Sequence, residues 1–254
     1  MIEEFLTVLT VRAVPGAREG GLVREIAGIL GRHRRQKAFW AEHLQHTKEC
    51  ITAHLHQADP NEPILLMGAG LCLDVPLAAL NDHPAGALLM DAVETRRTRR
   101  AIRSFGNIEF ERADLTGMLE EFWLGDKNTA FSPPDMAPLP LVGFGMAISC
   151  NVLSQLPLAF ASSPPADEQE QKITSAVQKA HVRALLAMDC PVLLITDYER
   201  VEVTGTAPHI IQTVDRTLLP GDPIEEWDWP IAPQGEVAPD LDVRLKVGAW
   251  LLNV

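Results

Sequence analysis

Nowhere in its 254 residues does the chain hold the uninterrupted apolar run of roughly 18 residues that a membrane span requires, so none is expected. Cysteine is scarce. The four thiols, Cys50, Cys72, Cys150 and Cys190, lie far apart and form no Cys-x-x-Cys pair. That spacing argues against a disulfide framework or a zinc site and predicts reduced, mostly buried thiols in a cytoplasmic protein. The opening stretch "MIEEFLTVLTVR" is acidic where a secretory signal would be basic, so no signal peptide is expected. Basic residues are the minority, 22 Lys and Arg against 34 Asp and Glu, a formal charge of −12. A surface that must neutralise phosphates cannot be built from that balance, which disfavours nucleic acid as a partner. The deficit is concentrated in the tail, where Leu186 to the end carries 12 acids against 4 Lys and Arg. Two basic runs, "RHRRQK" (Arg32 to Lys37) and "RRTRR" (Arg96 to Arg100), read as solvated helix faces. No internal repeat or low-complexity segment is present.

What is present is alternation. Residues 22–57 carry Trp40, Leu44, Ile51 and Leu55 near helical spacing and have no glycine after Gly31, which predicts a helical region ended by Pro60 and Pro63. "ILLM" (64–67) is then a fully apolar strand, and "DVPLAALNDH" starts a helix with Pro76 in its first turn. "GALLMD" (86–91), "IEFERAD" (108–114), "PLVGFGMAIS" (140–149) and "PVLLITD" (191–197) read as further strands. "AVETRRTRRAIRSF" and "EQEQKITSAVQKAHVRALLAM" (168–188) read as helices. Strands apolar on both faces and separated by helices predict a doubly wound, mostly parallel sheet. In the tail, "HIIQTVDRTLL" and "RLKVGAWLLNV" read as strands joined by the loop "GDPIEEWDWPIAPQGEVAPD", an arrangement that predicts antiparallel pairing. "FSPPDMAPLP" (131–140) and "ASSPPADEQE" (161–170) read as loops placed to cover a cleft. Residues 1–60 are expected to form an N-terminal helical cap and 61–254 the main domain.

"ILLMGAGLCLDVPL" (Ile64 to Leu77) carries the functional question. Gly68 and Gly70 follow the first strand, where ligands bind in a doubly wound sheet. Without side chains, their backbone amides can approach a ligand, and the next helix is expected to add its N-terminus. Asp91 ends the second strand, 23 residues after Gly68, where a carboxylate can accept hydrogen bonds from ribose hydroxyls. Asp114 ends the third strand, within reach of an adenine amino group.

With "LLMGAG", "LLMDAV", "ERADLT" and "SCNVLSQLP" in order, residues 60–254 resemble the class I, Rossmann-like S-adenosylmethionine-dependent methyltransferases. The resemblance implies a seven-stranded sheet whose last strand runs antiparallel, and S-adenosylmethionine as cofactor. It implies Gly68, Ala69 and Gly70 for the methionine moiety, and Asp91 with Ala92 for ribose. Asp114 and Leu115 would meet adenine, with Cys150 and Asn151 beside the reacting sulfonium. The family usually carries an acid two positions before the first glycine, and Leu66 stands there. Asp74 is the candidate substitute. The Asn-Pro-Pro-Tyr type of motif of the base- and amide-methylating branch is absent, which leans away from nucleic acid.

Methyl transfer needs alignment more than a fixed side-chain signature, so the catalytic group stays open, with Asn151 and His209 as candidates. Trp40 or His43 is expected to face the acceptor from the helical cap. Trp227 and Trp229 either wall the acceptor site or anchor a loop. Gly143-x-Gly145 reads as close backbone packing. His43-x-x-His46 and His54-x-His56 read as histidines of a surface helix, without a complementary cysteine and acidic ligand set, so no metal is expected. The expected partner is a small-molecule acceptor, neutral or cationic; a homodimer is left open. Two other readings remain: an NAD(P)-dependent oxidoreductase, whose third fingerprint glycine is replaced by Leu73, and a non-catalytic Rossmann-like binding protein.

Overall fold

The computed structural model describes residues 10–126, 133–140, 142–161, 164–205 and 207–253. Met1 to Leu9 of the N-terminal stretch, Phe131, Ser132 and Leu141 of the proline-rich segment and its following strand, Ser162, Ser163 and Val254 lie outside them. Ten strands are described: β1 (Arg12–Ala13), β2 (Ile64–Met67), β3 (Ala87–Asp91), β4 (Val93–Glu94), β5 (Ile108–Arg112), β6 (Met146–Cys150), β7 (Val192–Thr204), β8 (Ala207–Gln212), β9 (Glu225–Ala232) and β10 (Leu241–Leu252). Six helices accompany them: α1 (Leu22–Arg35), α2 (Lys37–His54), α3 (Leu77–Asn81), α4 (Arg96–Ile102), α5 (Leu119–Leu124) and α6 (Glu168–Leu186).

The main sheet runs β5-β3-β2-β6-β7-β10-β9. The first five strands pair in parallel, while β10 lies antiparallel between β7 and β9. A seven-stranded, mostly parallel row with an antiparallel last strand is the fold the resemblance implies. The order reverses at β2, with β3 on one side and β6 on the other, so the loops after these strands diverge and leave a crevice.

The all-apolar "ILLM" follows from burial on both faces. Ile64 and Leu66 enter one core cluster, and Leu65 and Met67 enter the other. Helix α6 covers the second face, contributing Val182, Ala184 and Leu185. On the first face, Trp40, Cys50 and Ile51 of α2 share a core with Leu66, Ile148 and Trp229.

The helical N-terminal region is not continuous. Gln36 (φ −108°, ψ 24°) separates α1 from α2, and a 3₁₀ turn, Leu55–Gln57, follows α2.

The tail departs most from the sequence expectation. Within "HIIQTVDRTLL" the strand ends at Gln212, and β8 pairs with the overhanging end of β7, outside the main row. The segment expected to be a loop supplies β9 instead. Its period-2 alternation is real: Glu226 and Asp228 are exposed, while Trp227 and Trp229 lie on the covered side. Pro230, which argues against a central strand, is tolerated because β9 is at the edge of the row.

Gly143 and Gly145 precede β6 and do not lie within it. Close packing holds for Gly145, where a Cβ would stand 2.4 Å from the Asp59 carbonyl oxygen. The described part of the proline-rich segment packs on α6, with Ala137 donating its N–H to the Ala180 carbonyl, and does not line the cavity described below. Among the described residues, no helix is long and apolar enough to cross a membrane.

Candidate cofactor and acceptor site

The two glycines after β2 are glycines for different reasons. At Gly68 (φ +84°), a Cβ would stand 2.5 Å from the Cys150 carbonyl oxygen and 2.9 Å from the Val152 side chain. That glycine is demanded by the approach of the loop after β6. Gly70 (φ +45°) has open space in front of it, the nearest atom to a Cβ being Asp91 Oδ2 at 3.9 Å. The open space belongs to a cavity of about 1080 Å³, its mouth included.

All nine residues the resemblance assigns to the cofactor line this cavity: Gly68, Ala69, Gly70, Asp91, Ala92, Asp114, Leu115, Cys150 and Asn151. Asp91 Oδ2 accepts the Gly70 N–H at 2.8 Å and Oδ1 accepts the Val93 N–H at 3.0 Å. Thr98 in turn donates its hydroxyl to the Gly70 carbonyl at 2.8 Å. Burial pushes the Asp91 carboxyl above its ordinary value, and the N–H groups of Val93, Gly70 and Ala92 oppose the shift. Asp114 is more committed to its own loop. Oδ1 accepts the Thr116 N–H and hydroxyl, and Oδ2 accepts the Leu119 N–H at 2.8 Å, so only part of its acceptor capacity is left for a ligand.

Opposite Asp91 lies a second carboxylate. Asp74 comes from the loop before α3 and accepts Asn151 Nδ2–H at 2.8 Å, with Cys150 Sγ at 3.8 Å. Burial raises the Asp74 carboxyl, and the Asn151 amide pulls it back. Asn151 sits at φ +50°, and its Oδ1 is buried with no partner among the described residues. Leu66, at the position of the family's usual acid, is fully buried in the core and does not line the cavity. The short helix α3 starts at Leu77 and so offers no N-terminus next to Gly70.

The remaining wall is mostly apolar and aromatic, with Glu25 and His43 as its polar members. Leu22, Glu25, Ile26 and Ile29 reach it from one face of α1, and Trp40, His43 and Leu44 from one face of α2. Trp229 arrives from β9. Trp40 meets the Trp229 ring edge-on with centroids 4.9 Å apart, and His43 stacks flat on Trp229 at 3.9 Å and 3°.

Trp227 Nε1 donates to His43 Nδ1 at 3.0 Å. An indole N–H can only donate, so Nδ1 is the acceptor and the neutral imidazole carries its proton on Nε2. Burial holds the ring neutral, its pKa lowered to about 3. His43 Nε2 and Trp229 Nε1 are both buried donors without a partner among the described residues. Glu225, Glu226 and Asp228 do not line the cavity; Glu225 meets His46 at 2.9 Å, and Glu226 is bonded to Tyr198 and Lys246. Of this segment, Trp229 alone lines the cavity, and Trp227 stands behind it on His43 and His46.

Of the two catalytic candidates, Asn151 is in the cavity. His209 is exposed on β8, opposite Glu202, and does not line it. The α1 contribution was missed at the sequence level, although Leu22, Glu25, Ile26 and Ile29 stand at helical spacing.

No protein-family model matches the chain, and no curated protein does. Solved structures similar to it include the following three. One is the 1,6-didemethyltoxoflavin-N1-methyltransferase of Burkholderia thailandensis, with bound 1,6-didemethyltoxoflavin and S-adenosylhomocysteine. It is 12% identical, covers 94% of this chain and 91% of its own, and has a TM-score of 0.43. The second is DhpI in complex with SAM and HEP, 12% identical over 92% of this chain and 99% of its own, TM-score 0.40. The third is the glycopeptide N-methyltransferase MtfA with S-adenosylhomocysteine, 13% identical over 80% and 89%, TM-score 0.33. The fold assignment rests on the strand order and orientations given above.

Proposed function

We propose that this protein transfers a methyl group from S-adenosylmethionine to a small molecule. The observation that carries this reading is the convergence of all nine expected cofactor residues on one cavity at the strand-order reversal. The residues fit the group: Gly70 leaves open the space a side chain would fill, and Asn151 Oδ1 waits without a partner. Asp91 would accept the ribose hydroxyls while Gly70 holds its carboxylate in place. Asp74, steadied by Asn151, would face the ammonium of the methionine moiety and so replace the acid missing at Leu66. Ala92 and Leu115 would flank the adenine.

When bound, S-adenosylmethionine supplies an electrophilic methyl carbon that a nucleophile's lone pair attacks as the carbon–sulfur bond breaks. The chain's task is then alignment and exclusion of water. The wall of α1, α2 and Trp229 provides a largely apolar slot with Glu25 on its α1 side, and the N–H groups of His43 and Trp229 would donate to lone pairs on the acceptor. His43 acts there as a neutral donor and not as a base. A neutral acceptor carrying oxygen or ring-nitrogen lone pairs suits this wall, and the chain's −12 charge disfavours nucleic acid. We read residues 1–60 as the cap over the cofactor domain, 61–254, and the four free cysteines as a sign of a cytoplasmic protein.

The test is calorimetry of the full chain with S-adenosylhomocysteine, S-adenosylmethionine and NAD. Binding of the first two without the third is expected. Binding of NAD alone would move the reading to an oxidoreductase, and binding of none at millimolar concentration to a non-catalytic protein.

A further inference from the structure

Outside the cavity, the tertiary structure adds an acid to a cysteine and a histidine that already stand together along α2. His46, Cys50 and His54 recur every four residues along α2 and so share one face of it. β9, packed against that helix, brings Glu225 to the same place. Cys50 Sγ, a ring nitrogen of His54 and a carboxylate oxygen of Glu225 lie within 4.8 Å of one another. We propose that Cys50, His54 and Glu225 bind a zinc ion that ties α2 to β9.

Three features beyond proximity support the site. His54 Nδ1 lies 2.8 Å from the Cys50 carbonyl oxygen. A carbonyl only accepts, so Nδ1 carries the ring proton and Nε2 keeps its lone pair, the arrangement by which metal-ligating histidines are oriented. His46 Nε2 lies 2.9 Å from Glu225 Oε2 and so holds the carboxylate. Trp227 in turn stacks on His46 at 4.3 Å, which fixes that ring.

The donors are one sulfur, one imidazole nitrogen and one carboxylate oxygen, a mixed set that suits borderline-soft zinc better than hard magnesium or calcium. Zinc reaches such ligands at about 2.0–2.3 Å, so modest rotation of the half-buried His54 and Glu225 side chains would close the set around an ion. Binding puts the Cys50 sulfur on the metal as thiolate and releases its proton to solvent.

None of the three ligands lines the cavity, so the ion's place is in the scaffold. The elements it would join are those that deliver Trp40, His43 and Trp229 to the acceptor wall. Zinc would thereby fix the spacing of that wall, whatever the cavity binds.

The test is titration of the metal-free full chain with zinc chloride against a chromophoric chelator, followed by cobalt substitution and thermal unfolding. One zinc per chain, a higher Tm with zinc and a thiolate-to-cobalt charge-transfer band are expected. Cys50→Ala and His54→Gln should weaken zinc binding by about 100-fold, and His46→Ala, which removes only the partner of Glu225, by about 10-fold. His56→Ala, one exposed side chain away, should bind like the wild type. Should Cys50→Ala fail to fold by circular dichroism, His54→Gln at its half-buried position carries the same test. Wild type that retains no zinc, cobalt without the thiolate band, or unchanged affinity in His54→Gln would overturn the site.

Discussion

The strand-end wall of the cavity and its helical wall are made differently, and the contrast explains what each can do. At the strand ends, the chain presents turns and carboxylates: Gly68, Gly70, Asp74 and Asp91 are held by backbone N–H groups and short hydrogen bonds. At the helical wall, Trp40, His43 and Trp229 are held by ring packing and by being part of the core. The first wall is specified by local conformation and suits a ligand with fixed polar groups in fixed places. The second is specified by long-range packing and suits a ligand held by shape and ring contact.

The largest effect should come from the helical wall. Trp40 is fully buried and donates its N–H to the Ile231 carbonyl at 3.0 Å, so Trp40→Ala should cost about 3–5 kcal/mol of stability in denaturant unfolding. A loss under 1 kcal/mol there would mean that α2 is a loosely attached cap and not part of the core.

The glycine pair sharpens the contrast next. Gly68→Ala forces a Cβ to 2.5 Å from a backbone oxygen at positive φ and should cost about 3 kcal/mol. Gly70→Ala meets open space and should cost only about 1 kcal/mol while obstructing S-adenosylhomocysteine binding measured by calorimetry. Equal destabilisation by both would make Gly70 structural as well.

On the polar wall, Asp91→Ala should weaken S-adenosylhomocysteine binding by about 1.5–3 kcal/mol, the range for charge-assisted hydrogen bonds. Unchanged affinity in a folded variant removes Asp91 from the site.

The pH dependence distinguishes the walls by sign. His43 has a folded pKa near 3, below its unfolded value of 6.5, so the unfolded chain binds more protons between those values. Its contribution to stability is therefore complete above pH 6.5 and is lost as pH falls toward 3. Asp74 and Asp91 are raised, so their contributions run the other way, favouring the folded state as pH falls toward the carboxylate range. Thermal unfolding of His43→Gln should show a flatter decline than wild type between neutral pH and about pH 4. An unchanged slope would show that His43 takes up its proton in the folded protein over the same range as in the unfolded chain.

The smallest effect is expected at His209. It is exposed and outside the cavity, so His209→Ala should leave stability within about 0.5 kcal/mol and cofactor affinity unchanged. A loss of binding would bring β8 back into the site.

Much of the cofactor side was readable because its determinants are local. A glycine after an apolar run, an aspartate at the end of the next one and an asparagine after "ISC" each occupy a place set by chain order in a parallel sheet. The β9 strand was obscured by its own composition: acids and Pro230 mask an alternation that only an edge strand tolerates. The break at Gln36 left no glycine or proline to mark it.

By itself, then, the sequence determined the alternating architecture and the residues at the strand ends, since both depend on periodicity and on neighbours a few residues away. Only the tertiary structure decided that His43 faces the cavity as a neutral donor while His209 stays outside it. Only the tertiary structure, too, brought Glu225 to Cys50 and His54, 175 and 171 positions away in the chain. Those outcomes depend on which edge β9 joins and how α2 crosses it, and no local pattern along the chain encodes that packing.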